Sequence, residues 1–175
     1  MKKPAMKWVI VTALILLVGY SSFATYNWLE RQRLDNGILN SAIALSDLPL
    51  AELSSVGGAA EYSIEHDTAG ELLSERITRY IFHVRTLSYS SGMLHALTGD
   101  EKYRTFETAM INLTSFFSEI NNKPDIEEIL AANLDTFRQI DDTFEETQRL
   151  DALTPADAEE LFELSGNLTA GWPVS

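Results

Sequence analysis

Hydrophobic residues return along most of this chain at alternating spacings of four and three, the 3.5-residue period of packed helices. Leu34, Ile38, Ser41, Leu45 and Leu48 keep that rhythm up to Pro49, which predicts a kink or an interruption. Leu73, Ile77, Tyr80, Val84, Leu87, Ser91 and Leu94 sustain it, and Thr98-Gly99 predicts its end. Asp100 stands where a cap for the next helix belongs, and Tyr103, Phe106, Met110, Leu113, Phe117 and Ile120 form that helix's seam. Asn121-Asn122-Lys123-Pro124 reads as a turn. A last long helix is predicted from about Asp125 through Ile126, Leu130, Asn133, Phe137, Ile140 and Phe144. Thr154-Pro155 joins an N-cap residue to a proline at the first helical position, which predicts a short helix to about Ser165. Residues 54–70, with Gly57, Gly58 and Gly70, read as a loop or a frayed region. No stretch has the alternation of a sheet strand. The expected fold is all-α, an antiparallel bundle of the four-helix type.

The N-terminal stretch has a different pattern. Lys2, Lys3 and Lys7 precede an uncharged run from Trp8 to Leu29, and the first acid is Glu30. Such a run of about 22 residues, rising 1.5 Å each, is long enough for a hydrocarbon layer of ~30 Å. Trp8 and Trp28 would then mark the two membrane interfaces, and the lysines predict an N-terminus left inside. The alternative is a removed signal peptide, since the most apolar part, Trp8–Val18, is short and Ser22-Phe23-Ala24 is a small-x-small site. The expected organisation is an anchor over residues 1–30 continuing into an extracytoplasmic bundle over 31–152. A short helix and tail over 153–175 complete it.

Charge sharpens this picture. The chain has 13 bases and 26 acids. Residues 1–35 hold five of the bases and two of the acids, leaving 8 bases against 24 acids and a net charge of −16 beyond them. Such a surface repels nucleic acid. With no cysteine, disulfides, thiolate metal sites and a cysteine nucleophile are excluded. No nucleophile–base pair, phosphate loop or metal motif is present, so the reading is non-enzymatic, with no cofactor or metal. Glu65-His66-Asp67 is a dense donor set without a fourth ligand.

Leu97-Thr98-Gly99-Asp100-Glu101 at a helix junction, followed after a short charged spacer by the aromatics Tyr103 and Phe106, resembles the extracytoplasmic four-helix sensory domains of bacterial histidine kinases and chemoreceptors, particularly the third CHASE class. The resemblance covers roughly residues 70–150, with the leading apolar helix by topology. It implies a place in the bacterial inner membrane, N-terminus inside and bundle outside, and a ligand-responsive shift in helix packing. In that family a second membrane helix and a cytoplasmic transmitter follow the bundle, and the sequence to Ser175 carries neither. The expectation is a receptor fragment or a stand-alone protein that signals through a partner. A non-catalytic accessory subunit of a larger membrane complex is the alternative.

Three groups of side chains are candidates for function. Arg76, Arg79 and His83 follow i, i+3, i+7 on one predicted helix, and guanidinium forks pair well with carboxylates, so they form a candidate site for a small anion. The competing reading is charge complementarity with the acidic residues 125–164. Asp141, Asp142, Glu145 and Glu146 stack like charges at i and i+4, which reads as a solvated face or a docking surface for a partner. Ser91 and Asn133 put polar groups in apolar seams, either fixing register or lining a cavity with Tyr80 and Tyr103. The partners expected are the bilayer, a second copy or another membrane protein, and a small anionic ligand.

Overall fold

The computed structural model describes residues 3–66, 70–121 and 123–171, and all regular structure among them is helical. Seven helices follow in order: α1 (Lys3–Leu53), α2 (Val56–Glu65), α3 (Gly70–Thr98), α4 (Glu101–Ile120), α5 (Ile126–Ala132), α6 (Leu134–Thr147) and α7 (Pro155–Asn167). The chain divides into two compact units, Met1–Ile38 and Leu39–Ser175.

The first unit is the leading part of α1. Trp8 and Trp28 are exposed on it, as are Leu14, Leu17, Tyr20 and Phe23. The Thr12 and Thr25 hydroxyls donate to the Trp8 and Ser21 carbonyls one turn back, at 2.9 and 2.8 Å, so their polarity is satisfied within the helix. Among the described residues, no helix is long and apolar enough to cross a membrane. Gly19, Ser21, Ser22 and Thr25 follow the apolar run closely and dilute it.

The second unit is a helical bundle built on the predicted seams. Leu73, Ile77, Tyr80, Val84, Leu87, Ser91 and Leu94 are all buried, and so is every seam residue from Tyr103 to Ile120. The turn between α3 and α4 follows from three residues. Gly99 takes φ +68°, which a side chain would disfavour. Thr98 Oγ1 accepts from the Asp100 amide at 3.2 Å, and the Asp100 carboxylate accepts from the Lys102 amide at 3.1 Å. Aromatic rings fill the core between α4 and α6. Phe117 stacks on Phe137 with centroids 6.0 Å apart, and Phe106 meets Phe144 edge-on at 6.3 Å. Each ring fully withdrawn from water contributes about 1.5–3 kcal/mol. α7 packs on α4 and opens with a full capping box between Thr154 and Asp157, which brings residues beyond 153 into the bundle.

Four expectations are corrected. α1 is not interrupted at Pro49 and continues as helix to Leu53. Its inward face is Ala42, Ile43, Ser46, Leu50 and Leu53, whereas Leu34, Ile38, Leu45 and Leu48 are exposed. The helix carries two apolar stripes, and period alone does not say which one turns inward. Residues 56–65 form helix α2 where a loop was expected. Its glycines belong to packing, since a Cβ on Gly57 would sit 2.9 Å from the Phe137 carbonyl carbon and the Arg138 nitrogen of α6. The last long helix is divided at Asn133 into α5 and α6. There the Asn133 amide donates to the Ile129 and Thr169 carbonyls at 2.7 and 2.9 Å, and its oxygen accepts from the Thr169 amide at 2.9 Å. Asn133 therefore fixes the segment after α7 against the α5–α6 break, a role that neither register nor a cavity describes.

Candidate functional site

α2 lies between α3 and α6, and three sets of polar contacts hold it there. The Asp141 carboxylate accepts from the Gly57 amide at 2.9 and 3.0 Å and from the Gly58 amide at 3.1 Å, and so caps the helix from another element. Arg76 donates to the Ala59 carbonyl and to the Ser63 hydroxyl, both at 3.1 Å. Arg138 bridges Glu61 of α2 at 2.6 Å and Asp135 of its own helix at 3.2 Å. Ser55, at the start of α2, makes no side-chain cap, so Asp141 supplies the anionic group there.

Between α2 and α3 runs an open groove of about 450 Å³ lined by Tyr62, Ser63, His66, Leu72, Leu73, Glu75, Arg76 and Arg79. His66 stacks on Tyr62 with centroids 4.1 Å apart, and its Nδ1 lies 2.9 Å from the Tyr62 carbonyl. Among the described residues, the exposed Arg79 pairs with Glu75 at 3.7 Å, a solvent-screened contact that holds the guanidinium weakly. Beneath α2 the core is closed, with about 10 Å³ left between Ala60, Ile77, Tyr80, Phe117 and Leu130.

The groove unites two of the three residues predicted for an anion site. Arg76 and Arg79 line it, but His83 is buried and does not. His83 Nδ1 has no hydrogen-bond partner, and burial pushes the imidazole's pKa down, opposed by Glu52 and aided by Arg79. The histidine in the groove is His66. A reading of 56–65 as helix would have found it, because Tyr62 and His66 then stand at i, i+4. The competing reading, complementarity of the α3 bases with the acidic residues 125–164, gains no ion pair from Arg76 or Arg79 among the described residues. Arg76 turns to the α2 backbone, and Arg79 pairs within α3.

The acidic set of α6 also divides. Asp142, Glu145 and Glu146 are exposed, while Asp141 is half-buried under α2. Burial pushes the Asp141 carboxyl above its usual range, and the Gly57 and Gly58 amides pull it back. Tyr80 packs at 5.6 Å from Phe117, and burial raises its phenol to about 12 against the opposing pull of Arg76. Asp67 of the Glu65-His66-Asp67 donor set lies outside the described residues. No group of three metal-binding side chains occurs among the described ones.

No family model matches the chain, and no curated protein or solved structure matches it either. The functional reading therefore rests on the groove, the surface and the sequence.

Proposed function

We propose that this chain is a membrane-anchored, extracytoplasmic sensory bundle that takes a small anion, a carboxylate by preference, in the α2–α3 groove and signals through a partner. Its anchor is residues 8–29, in a bacterial inner membrane with the N-terminus inside. The lysines before that stretch, the tryptophans near its ends and the internally bonded Thr12 and Thr25 hydroxyls support the anchor. One observation carries the ligand reading: in a region of net charge −16, two guanidiniums and an imidazole line one open groove. Arg79, weakly held by Glu75, offers the fork for a carboxylate, Ser63 and His66 are further polar groups beside it, and Arg76 connects the groove to the placement of α2. A ligand drawing Arg76 away from Ala59 would loosen α2 from α3, which is a route from binding to helix packing.

Calorimetric titration of the full-length chain in mild detergent with mono- and dicarboxylates tests this. Saturable heat is expected, and Arg79→Ala should weaken it about tenfold, the loss of one charge-assisted pair of ~1.4 kcal/mol, with melting temperature unchanged. Absence of binding by any small carboxylate or by inorganic phosphate removes the ligand reading.

The accessory-subunit reading is favoured by a different feature. Phe82 and Tyr89, two turns apart on one face of α3, are 66% and 70% exposed. A membrane protein recovered with the tagged chain at fixed stoichiometry, and lost with Phe82→Ser, would establish that reading instead.

A further inference from the structure

We infer that the α2–α3 groove selects a monocarboxylate with a flat apolar body, such as an aryl-substituted acetate, a selectivity that rests on the carboxylate reading of that groove. Apolar surface faces it from both walls. Tyr62 of α2 is 56% exposed and Leu72 of α3 is 59%, so neither side chain is taken up by the core. His66 adds a second ring, stacked on Tyr62 with an interplanar angle of 18°. The Tyr62 carbonyl can only accept, so His66 Nδ1 donates to it, and Nε2 of the neutral ring carries no proton for an anion. The imidazole therefore offers a face, and the anionic group belongs on the arginine side. The groove's volume of about 450 Å³ lies in the range of pockets that enclose a molecule with a body, more than a two-carbon acid fills.

Charge sets the number of carboxylates at one. Among its described residues the groove holds two guanidiniums, Arg76 and Arg79, and one carboxylate, Glu75. Two bases against one acid leave a single positive charge to be met. Arg76 already commits Nη1 to the Ala59 carbonyl and the Ser63 hydroxyl, and Arg79 is shared with Glu75. A second carboxylate on the ligand would meet Glu75 rather than a third base among the described residues. It would also enter the field of a region carrying −16, which opposes a dianion twice as strongly as a monoanion. An aromatic body meets neither obstacle. It gains by covering Leu72 and by stacking on an exposed ring.

Calorimetric titrations of the full-length chain in mild detergent, blanked against the same micelles, test this with phenylacetate, acetate, succinate and 2-phenylethanol. Phenylacetate should bind about tenfold more tightly than acetate or succinate, a gain of the size that covering one apolar side chain gives. The alcohol has the same ring without the charge and enters micelles more readily, so it should give no saturable heat. Leu72→Ser should weaken phenylacetate about fivefold and leave acetate unchanged, because it removes exposed apolar surface and no charge. Tyr62→Ala should act in the same direction. Both side chains lie outside the core, so both variants should keep the wild-type melting temperature. Acetate or succinate binding as tightly as phenylacetate overturns the selectivity and leaves the carboxylate site standing. Phenylacetate bound equally by wild type, Leu72→Ser and Tyr62→Ala overturns it as well. An affinity for 2-phenylethanol that matches phenylacetate, or no binding by any carboxylate, overturns the selectivity and the site together.

Discussion

His83 shows what a single buried side chain costs this bundle. It sits on α3 with Nδ1 unpartnered, and the hydroxyls of Ser90 and Ser91 on the same helix are unpartnered as well. The folded state holds the imidazole neutral, with its pKa below the ordinary 6.5. A depressed pKa means that the unfolded chain binds the proton first. The contribution is complete above pH 6.5 and is lost as pH falls through that value toward the folded pKa, at no more than ~1.4 kcal/mol per pH unit. Urea midpoints at pH 7.5 and 5.5 should therefore fall further for the wild type than for His83→Leu, which fills a similar volume and carries no proton. Equal falls would show that His83 does not titrate with unfolding. In the sequence, His83 shares a helical face with Arg76 and Arg79, which is why it read as part of a site. Only the packing of its neighbours shows that it faces inward.

At the scale of elements, α2 is the least legible part of the sequence and the one that defines the groove. Two adjacent glycines are poor helix formers, each about 1 kcal/mol worse than alanine. Locally they argue for a loop. The helix stands because α6 approaches the backbone at Gly57 and offers Asp141 as a cap. The two glycines should respond oppositely to the same substitution. Gly57→Ala places a Cβ against backbone atoms 2.9 Å away that cannot swing aside, and should destabilise by ~1–3 kcal/mol. A Cβ on Gly58 meets nothing within 4 Å, so Gly58→Ala should stabilise by up to ~1 kcal/mol through helix propensity. Chemical denaturation of the two variants decides the matter, and a Gly57→Ala chain as stable as wild type would contradict the close approach. The α3–α4 hairpin is the opposite case. Thr98, Gly99 and Asp100 act through their own backbone conformations and short-range bonds, so they announce the turn in the sequence.

Across the whole molecule, net charge outweighs ion pairing. The ion pairs of the bundle, such as Arg79–Glu75, Arg104–Glu101 and Arg149–Asp151, lie on the surface and add little. Repulsion among 24 acids facing 8 bases is spread over the region beyond residue 35. Raising sodium chloride from about 0.01 to 1 M shortens the screening length from ~30 to ~3 Å. The melting temperature should rise with it, and a fall would mean that the ion pairs dominate. The composition of the chain, its all-helical class, the seams of α3 and α4, the cap of α7 and the sign of its surface were all determined by the sequence itself. They depend on period, charge and residues acting on their own turn. The tertiary structure decided which of two apolar stripes on α1 turns inward, that Gly57 belongs to a helix, that Asn133 divides a helix to hold Thr169, and that His66 replaces His83 beside Arg76 and Arg79. Each of these depends on which distant backbone comes close, and no local pattern carries that distance.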